Sequence, residues 1–292
     1  MFTDTPFSGN QLAVFPDVDG ITEKDMQLIA RELNLSETTF VLTPHNPVAD
    51  YKVRIFTSLT ELPMAGHPTI GTAFVLANEG KQKIEDPRIK MRLEEKIGIV
   101  PVTVECSKGE TGWITMAQPL PTFGPVFENS KEIAQMLSLD ENELGDTPIE
   151  VVSCGVPFLF VPIKTLDAMK NIRLRLDIWE RLLKNFVTPH LFVFTRQVVR
   201  PESTVHSIMF APALGISEDP ATGGARGPLG CYLVKNDVVE QSRKIEFVSE
   251  QGMEMGRASR IKIAIEMQGR KIVNVSVSGQ CCKIGEGSIF LR

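Results

Sequence analysis

Two stretches of this sequence place a glutamate, a proline and a glycine at the same spacing ahead of an apolar segment of helix length. The first reads ELPMAGHPTIGTAFVLA from Glu61, and the second reads EDPATGGARGPLGCYLV from Glu218. A helix that starts at glycines can bind an anion, because its first N–H groups are unpaired and its dipole is positive there. The repeat therefore predicts two anion-binding helix starts, and we expect them to face each other across one cleft.

Titratable side chains stand inside both copies of the motif. His67 follows Gly66 at the first helix start, and Asp219 precedes Pro220, which restricts it to the turn before the second helix. The positive helix end disfavours a charged imidazole, so we expect a neutral His67 that hydrogen-bonds a substrate hydroxyl, amine or carboxylate. Asp219 could pair with a substrate ammonium group or act as a second proton carrier.

The elements around the motifs indicate how these residues are positioned. Strand-like residues precede both motifs, and the helices predicted at about 69–78 and 224–235 are apolar on nearly every side. Such helices are buried. The order of elements is similar in the two parts of the chain. The sequence thus predicts an α+β protein with two pseudo-symmetric halves, each a curved, barrel-like sheet around a central helix. We expect one half at 1–118, completed by a final strand at about 280–292, and the other at 119–279.

Capping and turn signals place further elements. Thr22 is expected to cap a helix that continues through about Asn34, and Asp177 a helix through Phe186. The proline-rich stretch QPLPTFGP at 118–125 is the best linker candidate.

Composition and charge exclude several classes of protein. The chain has 292 residues and a net charge of −5, with Lys and Arg scattered along it, which argues against a nucleic-acid or membrane-surface partner. No apolar run approaches the roughly 18 residues needed to cross a bilayer. The first residues do not resemble a secretion signal, so we expect a cytoplasmic protein.

Cofactor and metal signatures are missing from the sequence. The five cysteines form no C-x-x-C pair, and the four histidines are dispersed, so we expect core cysteines and no metal site. The Gly223-Gly224 turn lacks the Lys-Ser/Thr of a P-loop and the G-x-G-x-x-G of a dinucleotide fold. We therefore expect no cofactor.

Several motifs follow one another in order over nearly the whole chain. They are PFSGN at 6–10, NLSETTF at 34–40, RIFT at 54–57, AGHPT at 65–69, EDPATG at 218–223 and SEQG at 249–252. In these motifs the sequence resembles the PhzF-like (phenazine biosynthesis-like) isomerases, which are relatives of diaminopimelate epimerase. The resemblance implies the duplicated diaminopimelate epimerase-like fold, with one active site in the cleft between the two halves.

The resemblance also implies roles for individual residues. In the family, the glutamate of the S-E-T motif transfers the proton, and that position is Glu37 here. The histidine of G-H-P-T and the aspartate of D-P-A-T-G, which are His67 and Asp219, line the substrate pocket. Around these three catalytic candidates we expect Gly66, Gly223, Gly224, Asn10 and Ser36 to bind the substrate.

Two differences from the family and its relatives bear on the chemistry. The family usually has a serine after D-P-A-T-G, where this chain has Gly224, so a hydroxyl is lost while the backbone N–H is kept. The racemase relatives use paired cysteines at the two helix starts. This chain carries Gly66-His67 and Gly223-Gly224 there, which excludes a two-thiol mechanism.

Each candidate has a structural alternative. Glu37 could be a solvated turn residue and His67 a buried capping residue. Asp219 could cap the helix at 224–235, and Gly9-Asn10 could be a simple turn. Arg226, just inside that helix, is expected at the surface, because most arginines are solvated or paired there.

The sequence leaves two functions open. The first is a cofactor-independent isomerase in which Glu37 moves a proton on a small carboxylated metabolite. The second is a non-catalytic small-molecule-binding or interaction protein that kept the fold, for which Gly224 in place of serine is the supporting feature. The resemblance also makes a homodimer plausible.

Overall fold

The computed structural model describes residues 2–18, 20–79 and 87–291. Up to residue 118 the chain forms, in order, β1 (Leu12–Phe15), α1 (Glu23–Leu33), β2 (Glu37–Leu42), β3 (Tyr51–Phe56), β4 (Glu61–Leu62), α2 (Gly66–Asn78), β5 (Arg88–Glu95), β6 (Gly98–Ser107) and β7 (Glu110–Gln118). After it come β8 (Thr122–Val126), α3 (Ser130–Leu137), β9 (Glu150–Ser153), β10 (Pro157–Pro162), α4 (Leu166–Asn171), α5 (Leu176–Leu182), β11 (Leu191–Thr195), β12 (Val205–Ala211), β13 (Ile216–Asp219), α6 (Arg226–Lys235), β14 (Lys244–Gln251), β15 (Ser259–Gln268) and β16 (Lys271–Gly279).

The strands form one large, curved, mixed sheet. Its order is β1-β2-β3-β5-β6-β7-β16-β15-β14-β12-β11-β10-β9-β8, with β4 beside β3 and β13 beside β12. Most neighbours are antiparallel, while β1/β2, β3/β5, β10/β11 and β12/β14 are parallel. This arrangement confirms a mixed fold in place of a regular parallel βαβ sheet.

Helices α2 and α6 are buried, as their uniformly apolar sequences predict. Ile70, Ala73 and Leu76 of α2 are completely buried and belong to one core cluster with residues of β5, β6 and β7. In a second cluster, Leu229 and Leu233 of α6 pack with residues of β10, β12 and β15. Because neither helix has a polar face, each is enclosed by sheet residues rather than lying on the surface.

The other helices cover the sheet and are amphipathic. Thr22 caps α1, since its side chain accepts a hydrogen bond from the N–H of Asp25, and Asn34 ends the helix in the left-handed conformation. This confirms the predicted bounds of α1. Helices α3, α4 and α5 pack with β9, β10 and β11 in a third cluster. No helix in the described part of the chain is long and apolar enough to cross a membrane.

Both motif helices begin at positions that differ from the predicted ones. Helix α2 starts at Gly66 rather than at Thr69, because Pro68 lies in its first turn, where a missing N–H costs no helical hydrogen bond. Helix α6 starts at Arg226 rather than at residue 224, because Gly223–Ala225 form a tighter 3₁₀ turn ahead of it.

Two further predictions were wrong. Asp177 lies inside the first turn of α5 and does not cap it, since Arg175 is the cap residue and the helix ends at Leu182. The strand expected at about 280–292 is not formed in residues 280–291, where Gly285 and Gly287 interrupt the apolar residues. The strand that pairs with β7 is β16, with Val275 opposite Gln118.

Candidate active site

Glu37, His67, Asp219 and Asn10 come from four separate segments and meet in one buried cluster. Glu37 is the first residue of β2, His67 the second of α2 and Asp219 the last of β13. Asn10 pairs with Phe2 just before β1, and β1 is parallel to β2, so it lies beside Glu37's strand. The three ionisable residues are only 3–6% exposed. This burial contradicts the alternative in which Glu37 is a solvated turn residue.

Glu37 and His67 are in direct contact. Oε2 of Glu37 lies 2.9 Å from Nε2 of His67. The two groups are not aligned as a hydrogen bond, and neither atom has a hydrogen-bond partner within the described residues. Asn10 touches the other ring nitrogen, with its Nδ2 3.3 Å from Nδ1 of His67. Oε2 of Glu37 is therefore buried in an ion-pair contact with His67.

The pKa of His67 is shifted in the direction opposite to the one that the prediction of a neutral ring assumed. Burial lowers the pKa of His67, but the negative charges of Glu37 and then Asp219 outweigh it and hold the pKa above its usual 6.5. The prediction considered only the positive helix end. It could not include two carboxylates that arrive from other parts of the chain.

Asp219 is held by hydrogen bonds on both carboxylate oxygens. Asn10 Nδ2 donates to Oδ1 at 2.7 Å, and the Thr222 hydroxyl donates to Oδ2 at 2.5 Å. Burial raises the pKa of Asp219, as does the charge of Glu37, while His67 and the two hydrogen bonds act in the opposite direction; the pKa is raised overall. No side chain caps α6 or the turn before it, so Asp219 does not have the capping role considered as its alternative.

The glycines of the two motifs bring the helix starts into contact. A Cβ atom placed on Gly66 would lie 2.2 Å from the carbonyl carbon of Gly223, and one on Gly223 would lie 2.8 Å from the backbone nitrogen of His67. Gly224 is less crowded, since a Cβ there would be 3.8 Å from its nearest neighbour, the backbone nitrogen of Gly66. The two helix starts thus face each other, as predicted, and their backbones are in direct contact. Ser36, beside Glu37, is half-buried.

Three further polar residues complete the cluster, and their roles were not predicted. Gln251 accepts from the N–H of Thr222 at 3.0 Å and donates through Nε2 to the Thr222 hydroxyl at 3.1 Å. Arg226 is completely buried and donates to Gln251, so the expectation of a surface arginine was wrong. The only sequence signal for Gln251 was its place in the SEQG motif. No sequence signal indicated the role of Arg226, because the sequence alone does not show whether an arginine is buried.

A buried carboxyl group, that of Glu95, contacts the first turn of α2. The Thr69 hydroxyl lies 2.6 Å from the carbonyl oxygen of Ala65 and 2.5 Å from Oε1 of Glu95. One hydroxyl has one hydrogen, so it can donate to the carbonyl only if Glu95 is protonated and donates in turn. Burial acts in the same direction and raises the pKa of Glu95 to about 8, with the Thr69 contact opposing it.

Replacing Glu95 with glutamine should therefore stabilise the protein in mild alkali. The usual pKa is 4.5 and the folded value about 8, so the unfolded state binds fewer protons between these limits and stability falls as pH rises. At pH 8 the Glu95→Gln variant should gain at least about 1 kcal/mol of unfolding free energy over the wild type, and less at pH 5. Urea unfolding at both pH values measures this difference, with the exposed Glu110→Gln as control. An identical pH dependence of the wild type and Glu95→Gln would contradict a protonated Glu95.

Comparisons with known proteins agree over the full length of the chain. The family model described as phenazine biosynthesis-like protein matches residues 1–287. The trans-2,3-dihydro-3-hydroxyanthranilate isomerase of Pseudomonas aeruginosa is 37% identical over 291 residues, which cover 99% of this chain and 97% of that protein. An uncharacterized isomerase of Mesorhizobium japonicum is 35% identical over 298 residues, covering 100% and 97% of the two chains. The crystal structure of a PhzF-family phenazine biosynthesis protein from Bacillus anthracis matches with a TM-score of 0.85 at 29% identity, covering 95% of this chain and 92% of that one.

Proposed function

This chain belongs to the PhzF-like, or phenazine biosynthesis-like, protein family and is an isomerase, and from that premise we propose its reaction. We propose that it moves a proton between two carbons of a small carboxylated metabolite, without a cofactor, by acid/base catalysis at Glu37.

The observation that carries this proposal is the meeting of Glu37, His67 and Asp219 in one buried cluster. A general base must reach a C–H bond, and the negative charge that develops must be stabilised nearby. Glu37 has an oxygen without a hydrogen-bond partner in the described part of the structure. His67, whose pKa is raised, supplies the neighbouring positive charge.

The proposed step is balanced without an oxidant or a reductant. Glu37 as a carboxylate removes a proton from one carbon, and the C–H electron pair forms a new double bond. The electron pair of an existing, conjugated double bond moves to a second carbon, which takes a proton from the Glu37 carboxylic acid. The enzyme returns to its starting state, and the substrate is isomerised. Asp219 contacts the substrate as a second polar group or as a second proton carrier.

We propose that the substrate carboxylate binds at the two helix starts. Neither start has a side-chain cap, so the first N–H groups of Gly66, Gly223 and Gly224 are candidates for this contact. Asn10 and Ser36 stand next to the catalytic candidates and would complete the binding site. An anion there would also be favoured by the positive ends of both helix dipoles.

The two similar halves are part of this proposal as well. Support comes from the repeated Glu-x-Pro motif and from α2 and α6, which are both buried and lack a polar face. We propose that the chain arose by duplication and that its two halves share one active site.

The test is an isomerisation assay in D₂O. The protein is incubated in the presence of EDTA with trans-2,3-dihydro-3-hydroxyanthranilate, the compound named for the Pseudomonas aeruginosa relative, and with a panel of small unsaturated carboxylic acids. NMR follows double-bond position and deuterium at carbon. We expect one of these compounds to isomerise or to exchange hydrogen for deuterium.

The non-catalytic alternative, which Gly224 favours, predicts a different result. A compound that raises the melting temperature while neither it nor any other compound isomerises or exchanges would support a binding protein. That outcome would contradict the proposed reaction.

A further inference from the structure

Arg226 is a buried cation with an unusual set of partners. Its side chain is completely buried at the start of α6. The guanidinium donates to the hydroxyls of Ser207 at 2.8 Å and Ser249 at 2.6 Å, and also to Oε1 of Gln251. It lies 5.0 Å from the centre of the Phe192 ring. All of these partners are uncharged.

A buried charge is costly unless an opposite charge offsets it. Among the described residues the guanidinium of Arg226 donates only to the uncharged groups of Ser207, Ser249 and Gln251, and its Nε has no hydrogen-bond partner. Burial accordingly lowers the pKa of Arg226 to about 9, and the opposing charge is that of Asp219. The carboxylate whose charge favours the Arg226 cation is therefore one that forms no ion pair with it.

Gln251 connects the two residues. Its oxygen accepts from Arg226 and from the N–H of Thr222, and its nitrogen donates to the backbone oxygen of Asp219 and to the Thr222 hydroxyl. An amide can satisfy these four partners in one orientation only, because the oxygen cannot donate and the nitrogen cannot accept. Arg226 and the N–H of Thr222 can only donate, and the backbone oxygen of Asp219 can only accept, so these three partners together fix that orientation. The Thr222 hydroxyl then donates to Asp219.

We propose that Arg226 is a positioning residue for Asp219. It is one of the groups that hold the Gln251 amide, which in turn holds the turn from Asp219 to Thr222, and its charge favours the ionised form of the Asp219 carboxyl group. This inference rests on the proposed role of Asp219 in the site, and it adds the group that prepares Asp219 for that role.

The charged and titratable groups around Asp219 must be considered together. Glu37 approaches from β2 and His67 from α2, while Glu218 precedes Asp219 in β13 and Arg226 lies behind the turn in α6. Two carboxylates therefore oppose ionisation of Asp219, and two cationic groups favour it. Removing Arg226 takes away one of the two cationic groups that favour the ionised form of Asp219.

The experiment measures the titration of Asp219 directly, so it does not depend on any substrate. The protein is labelled with ¹³C at the aspartate carboxyl carbons, and the Asp219 signal is assigned by its absence in Asp219→Asn. Arg226→Gln removes the charge but can still form hydrogen bonds, and Arg226→Lys keeps the charge. The control, Arg54→Met, removes a different, half-buried cation, the one that forms an ion pair with Glu61.

We expect the Asp219 midpoint to rise by about one pH unit in Arg226→Gln, by less than half of that in Arg226→Lys, and not at all in Arg54→Met. An unchanged midpoint in a folded Arg226→Gln overturns the proposal. If Arg226→Gln does not fold, the proposal is tested with Arg226→Lys. A rise of the Asp219 midpoint by about one pH unit or more in that variant, which keeps the charge, would be incompatible with a role of the charge. Failure of the isomerisation assay would leave these titrations unaffected, so the two proposals fail separately.

Discussion

Replacing Glu37 with glutamine should lower kcat by roughly 10²- to 10⁴-fold while the protein stays folded. An amide of the same size cannot accept the proton from carbon, so the chemical step is lost but the volume of the buried side chain is kept. The measurement is kcat in the Glu37→Gln variant, on the compound that the D₂O assay identifies. Urea unfolding and ligand-induced shifts in melting temperature report folding and binding in the same samples.

A matched control for this prediction is Glu32→Gln, which makes the same chemical change on the exposed face of α1. The control should retain wild-type kcat. Full activity of Glu37→Gln on a true substrate would rule out Glu37 as the base. Loss of folding in that variant would instead point to a structural role for the buried Glu37–His67 contact.

Replacing Gly66 with alanine should destabilise the protein by about 2–3 kcal/mol and lower kcat/KM by about 10²-fold. The new Cβ would lie 2.2 Å from the carbonyl carbon of Gly223 and 2.4 Å from the nitrogen of Gly224. Both are backbone atoms, so the clash cannot be relieved by rotating a side chain, and the two helix starts must separate. His67 and Asp219 would move apart with them.

The control is in the facing turn. Gly224→Ala places its Cβ 3.8 Å from the nearest atom, which is an ordinary contact, so the free energy of unfolding should change by no more than about 0.5 kcal/mol. Urea unfolding of both variants tests the difference. Equal stabilities for Gly66→Ala and Gly224→Ala would mean that the two helix starts do not pack as closely as described.

The elements with a strong local signal were predictable. The cap at Thr22, the apolar character of α2 and α6, and the mixed sheet all follow from short patterns that the structure confirms. The secondary-structure predictions that were wrong concern positions whose structure depends on residues far away in the sequence. The sequence at 280–292 contains apolar residues, but β7 already has β16 as its neighbour, with Val275 opposite Gln118.

For the site, motif resemblance identified the ionisable residues but not their electrostatics. Glu37, His67 and Asp219 were named as catalytic candidates and lie together. The raised pKa of His67 and the burial of Arg226 were missed, because both depend on groups that only the folded chain brings near. A role predicted for a residue from its own helix start alone omits the charges that other segments of the folded chain bring near that residue.

The pairing of β16 with β7 has a consequence for how this chain folds. Ile261 of β15 and Val277 of β16 are completely buried in the same core cluster as Ile70 of α2. That core therefore cannot close during synthesis until the ribosome has released residues from far along the sequence. Contacts of such long sequence separation slow folding and leave apolar strand edges exposed in the meantime. Truncation before residue 271 should remove Val277 from this core and the neighbouring strand from β7, and so destabilise the part of the protein formed by the first strands.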